Sequence, residues 1–181
     1  MTALVSTQRM FFALWPDPVT GKLLQQAGKK LHGACGGHIT RLETIHMTLV
    51  FLGNVEVARL DELQSIAGEV SVAPFLLDIS SSGWWQHNRI GWVAPKTTAL
   101  VLSELVTQLS AKLTAAGFEL DTRKYVPHVT LLRKSECQVT MPPIDTIQWY
   151  VSEFVLVMSG LSNAGAAYEI VGRWPLQETV K

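Results

Sequence analysis

HMTLVFLG at residues 46–53 and HVTLLRK at residues 128–134 are the two stretches on which the reading of this sequence turns. Both are apolar and carry β-branched residues, so a strand is predicted from Ile45 to Leu52, stopping at Gly53-Asn54, and a shorter one from His128 to Leu132. Side chains two apart in a strand share a face. His46 and Thr48 therefore project together, with Met47 and Leu49 entering the opposite side, and His128 and Thr130 do the same against Val129 and Leu131. One His-x-Thr in a strand is a common coincidence. Two copies that share the following leucine, one in each half of the chain, form an approximate internal repeat whose histidines can converge on one cleft.

Outward from these stretches, RMFFALW at 9–15 reads as a buried first strand ended by Pro16. Asp17 and Pro18 have the character of a helix cap and first helical residue, with Leu23, Leu24, Ala27 and Leu31 at helical spacing and an end near Gly33, reinforced by Gly36 and Gly37. A second helix is predicted from about Val55 to Val70. Strands follow at Phe75–Ile79 and Ile90–Val93, joined by SSSGWWQHNR as a broad hairpin loop. Leu102, Leu105, Val106, Leu109 and Leu113 mark an amphipathic helix from Thr98 to about Ala116, stopped by Gly117. A long strand from Tyr150 to Met158 and a last one near Tyr168–Val171 complete the pattern, with no linker between independent domains.

The chain has 181 residues, 48% hydrophobic and 17% charged, enough apolar material for a packed core. Fifteen basic residues balance fifteen acidic ones, which excludes a broadly basic nucleic-acid surface and confines any phosphate site to a local patch. Cys35 and Cys137 are too few for a disulfide framework and form no Cys-x-x-Cys pair, so two reduced thiols are expected. The opening MTALVSTQRMFFALWPDP lacks the pattern of a signal peptide, and no apolar run approaches the roughly 20 residues needed to span a bilayer. A cytoplasmic protein without membrane contact is the expectation.

Imidazole titrates near neutral pH, at about 6.5 when unperturbed. Two of them on opposite sides of a substrate can divide the work, one taking a proton from an attacking hydroxyl or water and the other giving one to the leaving oxygen. The threonine hydroxyls can donate to a phosphate or similar oxyanion. Tyr125, Arg133 and Lys134 around the second copy supply a local positive field. The two histidines have no acidic or thiol partners in their own motifs, so no metal or other cofactor is expected. His38-Ile39-Thr40 is followed by arginine and preceded by two glycines, and is read as loop; His32 is read as an exposed residue at a helix end.

The two motifs, their spacing and the opening strand QRMFFALW together resemble the 2H phosphoesterase superfamily, most closely its bacterial RNA 2′,3′-cyclic phosphodiesterases, also called 2′-5′ RNA ligases. The resemblance covers nearly the whole chain. It implies an α+β, bilobal fold: two pseudo-symmetric, mainly antiparallel sheets flanking a central cleft, helices outside, residues 1–181 forming one domain of two interleaved lobes. It makes His46 and His128 the catalytic pair, Thr48 and Thr130 the phosphate ligands, and Arg133 a candidate phosphate contact. Phe11 and Tyr125 are candidates to stack on a base; Trp84, Trp85 and His87 are left between stacking and core roles. The implied reaction opens a 2′,3′-cyclic phosphate on an RNA end or small nucleotide to a 2′-phosphomonoester, with 2′-5′ joining as the reverse-type reaction, in a monomer. For hydrolysis His128 is expected as base and His46 as acid; the sequence is equally compatible with the exchange. An RNA-end or cyclic-nucleotide binding module with little turnover is the alternative.

Overall fold

The computed structural model describes residues 6–137, 140–162 and 165–177, without the side chains of 161, 162, 165 and 166; the opening MTALV lies outside the described residues. β1 (Thr7–Leu14) leads into α1 (Pro18–Cys35), whose first turn is capped by Asp17: its carboxylate accepts from Val19 N–H at 2.8 Å and Thr20 N–H at 3.1 Å. The helix runs past Gly33 to Gly36, where φ of +57° stops it. Then come β2 (His38–Ile39), β3 (Met47–Glu56), α2 (Leu60–Gly68), β4 (Phe75–Trp85), β5 (Ile90–Pro95), α3 (Leu100–Ala115), β6 (Val129–Arg133), β7 (Ile147–Val151), β8 (Glu153–Ser162) and β9 (Gly165–Pro175).

All the strand pairings are antiparallel, in the order β7-β4-β5-β6-β3-β1-β8-β9, with β2 also on β6. The outer strands of each half are richly paired, but β3 and β6 meet through a single residue pair, Met47 opposite Val129. The expected two-lobed arrangement is thus a continuous curled sheet with a one-residue join. The lobes interleave: β1 and β3 are completed by β8 and β9 from the end of the chain, while β4 to β7 form the other half. The helices cross over as well, α1 packing on β6 and β7, and α3 on β3. The core lies on the face to which Met47 and Val129 point, where Leu24, Leu31, Leu105, Leu109 and Trp149 are all nearly inaccessible.

Five local expectations change. The second helix starts later, because β3 continues through Gly53, whose φ of +72° lets the strand bulge instead of ending, and a 3₁₀ turn at Val57–Arg59 intervenes. The presumed SSSGWWQHNR loop is mostly strand: Trp84 and Trp85 pair with Gly91 and Ile90, leaving a tight turn at 86–89 with Arg89 at φ +57°. The strand expected from Tyr150 to Met158 is two, because the chain leaves the β4 edge at Ser152 and crosses to β1. His38-Ile39 is a short strand on Leu132 and Arg133. Cys35 and Cys137 are not reduced thiols; they form a disulfide with Met141 Sδ against both sulfurs, joining the end of α1 to the segment after β6. Two cysteines 102 positions apart carry no local signal of this, since only the packing of α1 on β6 brings them together.

Candidate active site

The join fixes the site. With Met47 opposite Val129 in an antiparallel pair, continuing that register by one residue each way brings His46 across from Thr130 and Thr48 across from His128. Met47 and Val129 are fully buried on the helix side, so the four polar residues occupy the other face.

The shared leucine of the motif has a structural meaning. Phe12 pairs with Val50 and Ala13 with Thr48, leaving Leu49 as an extra residue; Gly91 pairs with Leu132 and Trp92 with Thr130, leaving Leu131 extra. Each leucine is a β-bulge residue, and each is buried. A bulge shifts the alternation by one, so the residue five after each histidine rejoins the polar face. These are Phe51 in one lobe, 39% exposed, and Arg133 in the other.

Both imidazoles are oriented alike. His46 Nδ1–H donates to the Thr44 carbonyl at 2.7 Å and His128 Nδ1–H to the Val126 carbonyl at 2.8 Å. A carbonyl only accepts, so the proton is on Nδ1 and Nε2 is left as the titrating nitrogen. Rings enclose His46: Trp15 stacks at 5.4 Å and 7°, Phe11 lies at 4.9 Å, and Tyr168 meets it edge-on at 5.4 Å. Burial among them, then the nearby charges of Arg133 and His128, outweigh the carbonyl bond and hold its pKa at about 4. His128, with the Trp85 ring edge at 4.6 Å, is lowered in the same direction by burial and by Arg133.

Two arms lead away. Beside His46, a cavity of about 930 Å³ is lined by Arg9, His38, Thr40, Arg41, Phe51 and Arg133, among others. Beside His128, one of about 1060 Å³ is lined by Trp85, His87, Tyr125 and Phe118 and is mainly apolar. Thr48 and Phe51 border both. Phe11, 4% exposed, forms part of the His46 wall with its ring already against His46 and Tyr168; Tyr125 lies in the other wall, its hydroxyl donating to the Thr48 carbonyl at 3.2 Å. Among the described residues no group of three or more His, Cys, Asp or Glu could hold a metal.

A family model described as LigT-like phosphoesterase matches residues 14–92, which include the first motif. The RNA 2′,3′-cyclic phosphodiesterase of Escherichia coli (strain K12) is 28% identical over 173 residues, covering 94% of this chain and 98% of that protein. The crystal structure of E. coli LigT in apo form superposes with a TM-score of 0.87 at 27% identity, over 95% of this chain and 99% of that one. Residues 14–92 carry a LigT-like phosphoesterase match, and the chain has a LigT-like fold. A further relative of the same name from Thermus thermophilus is 26% identical over 182 residues, 93% of this chain and 90% of that protein.

In this LigT-like fold the residues around His46 escape a reading of the motifs alone. Trp15 and Tyr168 reach the ring through strand pairings far apart in sequence. Phe11 and Ala13 alternate on β1 and Trp15 continues that spacing just past its end, however, and this alternation beside the motif strand was the available signal.

Proposed function

We propose that this chain hydrolyses the 2′,3′-cyclic phosphate of RNA ends or small nucleotides to a 2′-phosphomonoester by metal-independent acid and base catalysis, using no cofactor. The observation that carries this is the symmetric pair of imidazoles, each with Nδ1 bound to a carbonyl two residues upstream, across a one-residue join. The names of the relatives from E. coli and T. thermophilus support the substrate class.

His46 and His128 are the proposed catalytic residues, with Thr48 and Thr130 donating to the non-bridging phosphate oxygens and Arg133 supplying a cation. In-line displacement sets nucleophile and leaving oxygen on opposite sides of phosphorus. The nucleoside fits the more polar, arginine-lined arm beside His46, against the wall containing Phe11, so its 3′ oxygen departs toward His46 and takes that proton. Water then approaches from the other arm and gives its proton to His128 Nε2. Tyr125 is the corresponding ring in that arm. Both motifs come from one chain, which supports action as a monomer and as one domain, 1–181, of two interleaved lobes. The proposed RNA-end substrate supports a cytoplasmic location. Among the described residues no helix is long and apolar enough to cross a membrane.

Phosphorus NMR of 2′,3′-cyclic AMP turnover in the presence of a chelator tests the reading. The expected product is the 2′-monophosphate, and His46→Ala and His128→Ala should each lose about 10²–10⁴-fold in rate. A 3′-phosphate product, or full activity in either folded variant, overturns it. Binding without product makes the protein a binding module instead.

A further inference from the structure

The Cys35–Cys137 bridge closes around the strand end that carries Arg133. Cys137 lies four residues beyond Arg133, and Cys35 lies three before His38, the residue paired with Arg133 between β2 and β6. The chain segments at the bridge are in close contact. Glu136 N–H donates to the Cys35 carbonyl at 2.9 Å, and the Gly37 backbone lies against the Arg133 carbonyl and Ser135. Ser135 donates to the Arg89 carbonyl through N–H and hydroxyl, and Glu136 pairs with the Arg89 guanidinium at 2.6 Å. These bonds remain when the bridge is cut, so reduction would loosen the strand end without releasing it. Arg133 lines the cavity beside His46, and its charge reaches both histidines, so a displacement of this strand end is felt at the site. The two sulfurs are unequal. Cys35 is 3% exposed, whereas Cys137 is partly open to solvent. An external thiolate attacks a disulfide at its accessible sulfur, and exposed bridges are the labile ones.

We propose that Cys35 and Cys137 form a thiol–disulfide exchange site that sets the affinity of the phosphate site: the bridged form binds the cyclic phosphate more tightly than the dithiol form, through the placement of Arg133. This goes beyond the cyclic phosphodiesterase reading and uses that activity as its readout. The co-reactant is a dithiol. One of its thiolates attacks Cys137 Sγ, forming a mixed disulfide as the bond to Cys35 Sγ breaks, and Cys35 leaves as a thiolate that takes up a proton. The second thiolate of the reagent then attacks the reagent's own sulfur in the mixed disulfide, and Cys137 leaves and is protonated in turn. Two electrons pass to the protein, the reagent becomes a disulfide, and the protons its thiols lose balance those the cysteines gain. The effect is reciprocal by linkage: whatever factor the bridge adds to phosphate affinity, bound phosphate makes the bridge harder to reduce by the same factor.

Two measurements test this. The unaltered protein is assayed with 2′,3′-cyclic AMP in its oxidised form and after treatment with dithiothreitol, the state of the cysteines being read by alkylation and mass spectrometry. Reduction should raise KM about five- to tenfold and change kcat by less than about twofold, with circular dichroism unchanged and recovery on reoxidation. Cys35→Ser with Cys137→Ser should behave as the reduced form and ignore dithiothreitol; should it not fold, the two forms of the unaltered protein decide alone. In a dithiothreitol redox buffer, saturating 2′-AMP should shift the midpoint toward more reductant, by the factor by which reduction weakens 2′-AMP binding. Equal KM in the two forms, a bridge that resists reduction in the folded protein, unfolding on reduction, or a dithiothreitol response that persists in the serine variant overturns the proposal and leaves the phosphodiesterase reading intact. Absence of hydrolysis in both forms fails that reading instead, and the affinity of each form for inorganic phosphate then decides: equal affinity overturns the exchange site, and tighter binding by the bridged form upholds it.

Discussion

His46 loses its proton at about 4 in the free protein, and burial and Arg133 lower His128 from the ordinary imidazole value as well. A rate profile governed by one acid and one base peaks between their two pKa values whichever residue has which role. With His46 at about 4 and His128 also lowered, the maximum of kcat/KM should fall on the acid side of about 6.5. The bound substrate carries negative charge, which raises both values, so the kcat profile should lie alkaline of it. Arg133→Gln removes a lowering influence on both rings and should move the kcat/KM maximum upward, even as binding weakens. The same shift enters stability. Between about 6.5 and 4 the unfolded chain binds the proton that folded His46 refuses, so stability is lost as pH falls through that window, by about 3 kcal/mol in all. Thermal melts across this range, with His46→Asn as the flattened control, check the sign. The four motif residues were legible in the sequence because each pair is local to one strand. Trp15, Tyr168 and Phe51 were not, since pairing partners and bulges decide their position.

At the scale of elements, the bulges at Leu49 and Leu131 show where simple alternation misleads. A strict period of two would send Val50 and Leu132 to the polar face; both are buried, at 6% and 0%, because the extra residue reverses the pattern. Helices were easier to read, for their spacing and caps are chemical signals within one segment, and α1 begins at the predicted Asp17-Pro18. The register of β6 is also held from outside. Gly37, at φ +86°, brings its backbone so close that a Cβ there would lie 2.7 Å from the Arg133 carbonyl and 2.8 Å from Ser135 Cα. Ser135 is fully buried and bonds the Arg89 carbonyl through both N–H and hydroxyl. Gly37→Ala should therefore displace the end of the strand that carries Arg133, costing about 1–3 kcal/mol in a denaturant titration and raising KM more than it lowers kcat.

The whole molecule is tied together by crossings: α1 packs on one lobe and α3 on the other, and the final two strands return to complete the sheet begun by the first. The disulfide adds a covalent crossing. It encloses most of the chain between its ends, so Cys35→Ser with Cys137→Ser, compared with the oxidised protein in urea, should lower stability by about 2–4 kcal/mol. An unchanged midpoint with and without reductant would show that the bridge contributes nothing in solution. The join between the lobes has a consequence of another kind. Since its single pair, continued by one residue either way, sets His46 across from Thr130 and His128 across from Thr48, the proposed site pairs residues between the motifs rather than within them. Double-mutant cycles on activity should accordingly give larger interaction energies for His46 with Thr130 than for His46 with Thr48, so that the two copies of the repeat behave as one exchanged pair rather than two independent sites.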